Sequence, residues 1–160
     1  MKLVEVLTNT PPLWFAPAAD QNPQSSADGG NETDLQPSSL RVLVVEDEFF
    51  ISLHLIELVE SLGHIVVATA VSADEAVSMA EQARPDLVLM DIRLMGVRDG
   101  IDAAEEIRRR FGVGSIFVTA NTDQQTRQRA HATQPLGYLE KPITQERLKR
   151  GLSQFAHNAR

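Results

Sequence analysis

The sequence contains no cysteine, has no excess of positive charge and has no long apolar run. Without cysteine, disulfide scaffolds, thiolate zinc sites, iron–sulfur clusters and thiol nucleophiles are excluded. The longest apolar runs, at 42–45 and 87–90, have the length of β-strands, so no transmembrane helix is predicted. The chain has 15 basic and 22 acidic residues, a net charge of −7. This balance argues against partners such as nucleic acid or an anionic membrane surface.

Polar residues and prolines are concentrated in the first part of the chain. Residues 1–39 contain five of the eight prolines, and one lysine against five acidic residues gives them a net charge of −4. Such a segment buries too little apolar surface to offset the entropy lost on ordering. We therefore predict a disordered tail over 1–39 and a folded domain over 40–157. Glu5 interrupts the first apolar residues and Pro11 and Pro12 follow, which is not typical of a secretory signal and favours a cytoplasmic location.

The folded part alternates between two kinds of segment. Short apolar segments, several rich in β-branched residues, occur at 40–45, 65–67, 87–90, 115–118 and 136–139, and each is followed by a helix-like pattern. Strands that are apolar on both faces suit a parallel sheet covered by helices on both sides. Crossovers between such strands are right-handed, which leaves few ways to wind the sheet. We predict an α/β fold with a doubly wound five-stranded parallel sheet and five helices.

Polar side chains stand where four of the predicted strands end. Glu46 and Asp47 follow the first strand, Asp91 the third, Thr119 the fourth and Lys141 the fifth. In an open α/β sheet, ligands bind beyond the carboxyl ends of the strands, at the switch point in strand order. If the order is 2-1-3-4-5, the first and third strands are neighbours there, and three carboxylates come close together.

Three adjacent carboxylates repel one another and need a compensating cation. Oxygen ligands without nearby histidine or cysteine suit a hard divalent ion, and a phosphate-linked site suits Mg²⁺. A carboxylate can act as a nucleophile toward phosphorus, and Asp91 is the central carboxylate of the set. A lysine and a hydroxyl, supplied by Lys141 and Thr119, can neutralise the remaining phosphoryl oxygens. Each feature alone has a structural explanation, but the complete set in this order favours the functional one.

The matching stretches are 44–48 (VVEDE), 87–91 (LVLMD), 118–120 (VTA) and 141–142 (KP). With these residues the chain resembles the receiver domain of two-component response regulators, over residues 40 to about 157. The resemblance implies a flavodoxin-like fold with strand order 2-1-3-4-5. It also implies a cis peptide bond between Lys141 and Pro142. The loop after Asp91 is one residue longer than in the commonest receivers, because Asp99 and Gly100 come eight and nine residues after Asp91.

The resemblance assigns a role to each residue of the set. Asp91 looks like the phospho-acceptor, Asp47 like the direct Mg²⁺ ligand, and Glu46 like the outer acidic residue that often acts through water. The backbone carbonyl of Arg93 would add a further metal ligand. Thr119 matches the switch hydroxyl and Lys141 the lysine that pairs with the phosphoryl group. Tyr138 matches the aromatic switch that turns inward on activation.

The resemblance also implies partners. The phosphoryl donor would be a sensor histidine kinase or a histidine phosphotransfer protein, and a downstream protein would bind the face made by helix 4, strand 5 and helix 5. A homodimer is left open. The domain would be a signalling protein with self-catalysed phosphorylation and dephosphorylation, not an enzyme. Only five residues follow Phe155, so we expect a stand-alone response regulator.

Three other classes of protein share parts of this pattern. Phosphotransferases of the dehalogenase type also combine an aspartate nucleophile with Mg²⁺, but theirs follows the first strand, usually in Asp-x-Asp. A toprim-like metal domain places a glutamate after the first strand and needs a later Asp-x-Asp that this sequence lacks. A pseudo-receiver, which binds partners independently of phosphorylation, is expected to have lost an acidic residue, the threonine or the lysine, and none is lost here.

Overall fold

The computed structural model describes residues 39–120 and 123–158. In this part of the chain five strands alternate with five helices: β1 (Arg41–Val45), α1 (Phe49–Ser61), β2 (Ile65–Ala70), α2 (Ala73–Ala83), β3 (Leu87–Asp91), α3 (Gly100–Phe111), β4 (Gly114–Thr119), α4 (Gln124–Ala132), β5 (Gly137–Glu140) and α5 (Gln145–Asn158). The strands form one parallel sheet in the order β2-β1-β3-β4-β5. The predicted fold is confirmed. The predicted tail lies, except for its last residue, outside the described residues.

The core consists of two layers, one on each face of the sheet. On one face, α2 and α3 pack on alternate residues of the central strands, such as Leu43, Val88 and Phe117, and α4 adds Ala130. On the other face, α1 and α5 cover Val44, Leu89 and similar residues. Because successive strand residues point to opposite faces, a continuous apolar run fills both layers. None of the helices in residues 39–120 and 123–158 is long and apolar enough to cross a membrane.

Helix ends follow their sequence signals, with one local difference. The carboxylate of Asp99 accepts the N–H groups of Ile101 and Asp102 at 3.0 Å, and α3 ends at Gly112, whose φ is 71°. The sequence Ser72-Ala73-Asp74-Glu75 predicts a capping box at the start of α2; the Ser72 hydroxyl does cap the helix, but the Glu75 carboxylate accepts the N–H of Val71. A reciprocal capping box would use the N–H of Ser72 instead.

The two edge strands differ from the prediction that strands are buried on both faces. β1, β3 and β4 are almost wholly buried, whereas Ile65 of β2 and Tyr138 of β5 are half exposed. β2 also runs on to Ala70, because it continues to pair with β1 as far as Val45. An edge strand has a partner on one side alone, so less of its surface is covered. Glu46, Asp91 and Thr119 therefore lie at the carboxyl ends of the three most buried strands, and Lys141 follows the edge strand β5.

Candidate functional site

The carboxyl ends of β1 and β3 bring the acidic residues together. Val45 pairs with Met90 in the sheet. The residues that follow this pair in the sequence are Glu46 and Asp91, which therefore lie side by side. Oxygens of Glu46, Asp47 and Asp91 all lie within 4.8 Å of one another. Glu46 and Asp91 are buried and Asp47 is partly exposed. The structure thus forms the acidic pocket that the sequence predicts at the switch point of the sheet.

Lys141 places its ammonium between two of these carboxylates. Its Nζ lies 2.9 Å from Oδ2 of Asp91, to which it donates a hydrogen bond, and 2.8 Å from Oε2 of Glu46. The cis peptide bond to Pro142, predicted from the sequence, follows Lys141 directly. The Lys141 N–H donates to the carbonyl of Thr119 at 2.8 Å and holds this segment against the end of β4. A single positive charge therefore faces two buried negative ones.

Burial and charge shift two of these groups away from their ordinary behaviour. Burial raises the pKa of Glu46 from 4.5 to about 7, and the charge of Asp91 adds to the rise, while the Lys141 ammonium opposes it. Burial by itself lowers the pKa of Lys141, but hydrogen bonds to Glu46 and Asp91 and their charges outweigh it, so this pKa is above its usual value. The ammonium is thus held in its charged form beside Asp91.

Backbone groups of the loop after β3 fix the carboxylates in place. Oδ1 of Asp91 accepts the N–H of Arg93 at 3.1 Å, and Oδ2 of Asp47 accepts the N–H of Met95 at 3.0 Å. The N–H of Glu48 donates to Oε1 of Glu46 at 3.3 Å. These contacts orient the carboxylates toward one another. The role predicted for the carbonyl of Arg93 as a metal ligand stays a prediction.

Of the predicted switch residues, Thr119 is the last residue of β4, whereas Tyr138 lies near the start of β5 and pairs with Phe117. Thr119 is buried, and its hydroxyl donates to the carbonyl of Ala120 at 2.6 Å. Tyr138 is 43% exposed, and its ring centroid lies 5.8 Å from that of Phe117. Neither side chain has a recorded contact with Asp91 in this arrangement. Their predicted roles as switches stay predictions.

Two contacts at the site have no signature in the sequence. A Cβ added to Gly100 would overlap the carbonyl oxygen of Asp91, so the first turn of α3 lies directly against the backbone of this residue. On the other side, Nε2 of His54 lies 3.0 Å from the carbonyl of Ile143 and ties α1 to the segment after Pro142. In the sequence, Asp99-Gly100 indicates only the start of a helix. Close approach between backbones leaves no pattern of side chains that could have predicted it.

The carboxylate group fits a hard divalent cation. Oε2 of Glu46 is buried, and the charge that faces it is the Lys141 ammonium 2.8 Å away. A carboxylate oxygen in this position needs a cation or a donor to replace the water that it has lost. All three side chains offer oxygen ligands, which Mg²⁺ prefers. The residues present therefore fit Mg²⁺, with Asp47 as the most accessible of the three.

A buried aspartate with neighbouring acids and a lysine, at the switch point of a 2-1-3-4-5 sheet, defines the receiver class of domain. The Response regulator receiver domain family matches residues 42–153 of the sequence. The chain belongs to this family, and the resemblance found in the sequence is confirmed. Domains of this family act in signalling by two-component systems.

Known proteins and structures support this assignment. The transcriptional regulatory protein PdtaR of Mycobacterium tuberculosis is 39% identical over 104 residues, which are 65% of this chain and 50% of PdtaR. The phyllosphere-induced regulator PhyR of Methylorubrum extorquens is 44% identical over 80 residues, 49% of this chain and 30% of PhyR. The chain thus spans half the length or less of these relatives.

Solved structures show the same architecture. The signal receiver domain of a modulated diguanylate cyclase from Desulfovibrio desulfuricans has a TM-score of 0.72 and 36% identity, covering 75% of this chain and 95% of that domain. The receiver domain of PhyR from Erythrobacter litoralis has a TM-score of 0.63 and 36% identity, covering 75% and 91%. The likeness covers the receiver domain of these regulators.

Proposed function

We propose that this receiver accepts a phosphoryl group on Asp91 from a phosphohistidine and changes its protein binding in response. The observation that carries the proposal is the contact of Lys141 with the carboxylate of Asp91, at the centre of a buried acidic pocket. The Lys141 ammonium lies where it can pair with a phosphoryl oxygen on Asp91, and the neighbouring acids can bind a metal. The pseudo-receiver alternative has no supporting feature, since the acids, the threonine and the lysine are all present.

The transfer balances as a simple displacement at phosphorus. A carboxylate oxygen of Asp91 attacks phosphorus, a P–O bond forms, and the P–N bond to the donor imidazole breaks. The released imidazole nitrogen takes up a proton. Lys141, whose pKa is raised, stays charged and can pair with a phosphoryl oxygen without gaining or losing a proton. The Thr119 hydroxyl is then free to leave the carbonyl of Ala120 and donate to another phosphoryl oxygen.

The metal that we propose for this site is Mg²⁺. Asp47 and Asp91 would bind it directly, Glu46 through water, and the carbonyl of Arg93 would complete the protein ligands. When bound, Mg²⁺ neutralises charge on the phosphoryl oxygens and lowers the barrier to their approach to the carboxylates. The carboxylates of Glu46 and Asp47 would balance the positive charge of the metal. The Lys141 ammonium would move from Glu46 to pair with the phosphoryl group.

A protein donor is supported by the surface around the pocket. Phe49 and Phe50 at the start of α1 are about three-quarters exposed, and Met95 and Val97 of the loop after β3 are also exposed. Exposed apolar groups beside a polar pocket are typical of protein interfaces. We propose that they contact a histidine kinase or histidine phosphotransfer protein. We further propose a cytoplasmic location for the protein.

The output surface that we propose is the face of α4, β5 and α5. A groove of about 590 Å³ lies between α4 and β5, and Thr119 and Tyr138 are among its lining residues. Thr119 therefore contributes to the phosphorylation site and to this groove at once. A change in the orientation of the Thr119 hydroxyl can alter the shape of the groove that a downstream protein would bind. The same face could take a second copy of the chain.

The proposal is tested by the mass of the intact protein after incubation with Mg²⁺ and acetyl phosphate. We expect an adduct of one phosphoryl group that hydroxylamine removes, because hydroxylamine attacks acyl phosphates. Asp91→Asn should abolish the adduct. Asp74→Asn is the matched control, because Asp74 is exposed on α2 and pairs with Arg98. An adduct that persists in Asp91→Asn, or no adduct with acetyl phosphate or any phosphohistidine donor, would overturn the proposal.

A further inference from the structure

Helix α4 is held to the domain by little apolar surface. Ala130 is its buried residue, whereas α3 buries five. An amphipathic face usually supplies most of the stability of a helix on a sheet. Polar contacts must therefore account for much of what fixes the position of α4.

Arg129 makes the polar contact that joins α4 to α3. Its NH1 lies 2.8 Å from Oδ2 of Asp99, and its NH2 lies 3.4 Å from Oδ1 of Asp99 and 3.1 Å from Oδ1 of Asp102. A guanidinium that bridges two carboxylates in this way has a defined geometry, unlike an ordinary surface ion pair. We call these contacts the α3–α4 clamp.

The carboxylates of the clamp are themselves fixed relative to Asp91. Asp99 and Asp102 form a reciprocal capping box at the start of α3. Gly100 follows Asp99, donates its N–H to the carbonyl of Ile92 at 3.0 Å and lies against the carbonyl of Asp91. A series of contacts thus runs from the backbone of Asp91 through the start of α3 to the side chain of Arg129.

The opposite end of α4 is connected to Thr119 through the chain. The clamp is present in the same structure in which the Thr119 hydroxyl donates to the carbonyl of Ala120. If α4 shifts when Thr119 turns toward a phosphoryl group on Asp91, the clamp opposes that shift. The two sites then share one conformational equilibrium, and a change at either affects the other.

We propose that Arg129 is a positioning residue that restrains α4 in its unphosphorylated position and thereby opposes phosphorylation of Asp91. This proposal rests on the proposed function. It assigns to α4 a restraint by Arg129 that does not depend on the predicted switch side chains, Thr119 and Tyr138. Releasing the clamp should loosen α4 and ease phosphorylation together.

The test compares the full chain with Arg129→Gln, Arg129→Lys and the control Arg110→Gln. Arg110 also contacts two carboxylates, Glu106 at 3.1 Å and Glu81 at 3.4 Å, but it is near the far end of α3 from Asp91. The measurements are amide hydrogen exchange of α4 without phosphate, the initial rate of phosphorylation by acetyl phosphate with Mg²⁺, and the melting temperature.

For Arg129→Gln we expect faster exchange in α4 and a phosphorylation rate about two- to fivefold higher, the range that a surface ion pair can supply. Arg129→Lys keeps the charge but not the fork and should fall between this variant and the wild type. Arg110→Gln should lower the melting temperature by a similar small amount and leave both the exchange of α4 and the rate unchanged.

Equal rates in Arg129→Gln and Arg110→Gln, with the wild type phosphorylated normally, would overturn the clamp and leave the proposed function intact. A lower rate in Arg129→Gln would also contradict it, because the clamp would then support phosphorylation. A wild type that takes no phosphoryl group would overturn the proposed function and the coupling with it. In that case the exchange of α4 would still show whether Arg129 holds the helix.

Discussion

Helices α3 and α4 cover the same face of the sheet, but they are held to it by different forces. α3 buries Ile101, Ala103, Ala104 and Ile107, and its first residue lies against the backbone of Asp91. α4 buries Ala130, and its polar contacts include the cap at Asp123 and the clamp of Arg129. The helix beside the pocket is fixed by packing, whereas the helix beside the groove is fixed by polar contacts of low energy. A small change in charge can therefore move α4 and leave α3 in place.

The largest difference between the two regions is expected for glycine substitutions. Gly100→Ala places a methyl group on the carbonyl oxygen of Asp91, and such overpacking against backbone should cost at least about 3 kcal/mol of unfolding free energy. The melting temperature should fall by on the order of 10 °C. Gly137→Ala in β5 is the control, because no atom lies within 4 Å of the added Cβ. Its stability should change by less than about 0.5 kcal/mol.

A truncation in each helix would measure the packing difference directly. Ile107 is fully buried in α3, so Ile107→Ala should cost about 2–5 kcal/mol of unfolding free energy. Gln128 is exposed on α4, and Gln128→Ala should leave this free energy almost unchanged. Urea denaturation of both variants gives the two values. Similar losses for both would show that α4 is packed as firmly as α3.

The pocket should also respond to pH, because the pKa of Glu46 is raised to about 7. The folded protein binds a proton more tightly there than the unfolded chain does, so ionisation of Glu46 opposes folding. In EDTA, the stability contributed by protonated Glu46 is present below about pH 4.5 and is lost as the pH rises to about 7. Melting temperatures across this range should show the decline.

Glu46→Gln should flatten that decline, because the amide does not titrate. Millimolar Mg²⁺ should stabilise the wild type by binding the native state, and more strongly above pH 7 than below it, since protons compete for the same oxygens. A melting temperature that does not change with Mg²⁺ at any pH would contradict a metal site at these carboxylates.

The smallest expected effects come from the two N-caps. Asp99→Ala removes both the capping box of α3 and one carboxylate of the α3–α4 clamp, and should cost about 1–2 kcal/mol. Asp123 accepts the N–H of Thr126 at 2.9 Å, and Asp123→Ala should lower the global stability less, because α4 can fray locally before the domain unfolds. Amide exchange should show the second change within α4 alone. A global loss for Asp123→Ala as large as that for Asp99→Ala would remove the distinction between the helices.

The sequence predicts the sheet and the acidic pocket well, because both depend on local signals. Apolar runs such as 87–90 can be buried on both faces only in a covered parallel sheet, and the topology then brings Glu46 beside Asp91. The extent of β2 and the exposure of Tyr138 are less predictable, since they depend on which strands lie at the edges.

Contacts between different helices, strands and loops could not be predicted from the sequence. Nothing local distinguishes Arg129, which bridges Asp99 and Asp102, from Arg127 two residues earlier on the same polar helix. The hydrogen bond from the Met95 N–H to Asp47 uses backbone, for which any residue type serves. Such contacts depend on the final distance between elements rather than on the pattern within one of them.

The most direct test of the difference between these helices is amide hydrogen exchange with and without acetyl phosphate and Mg²⁺, in the wild type and in Asp91→Asn. We expect phosphorylation to change exchange in α4 and at β5 and to leave α3 and the central strands nearly unchanged. In Asp91→Asn we expect no change at all. A response spread equally over α3 and α4, or one that persists in Asp91→Asn, would contradict this expectation.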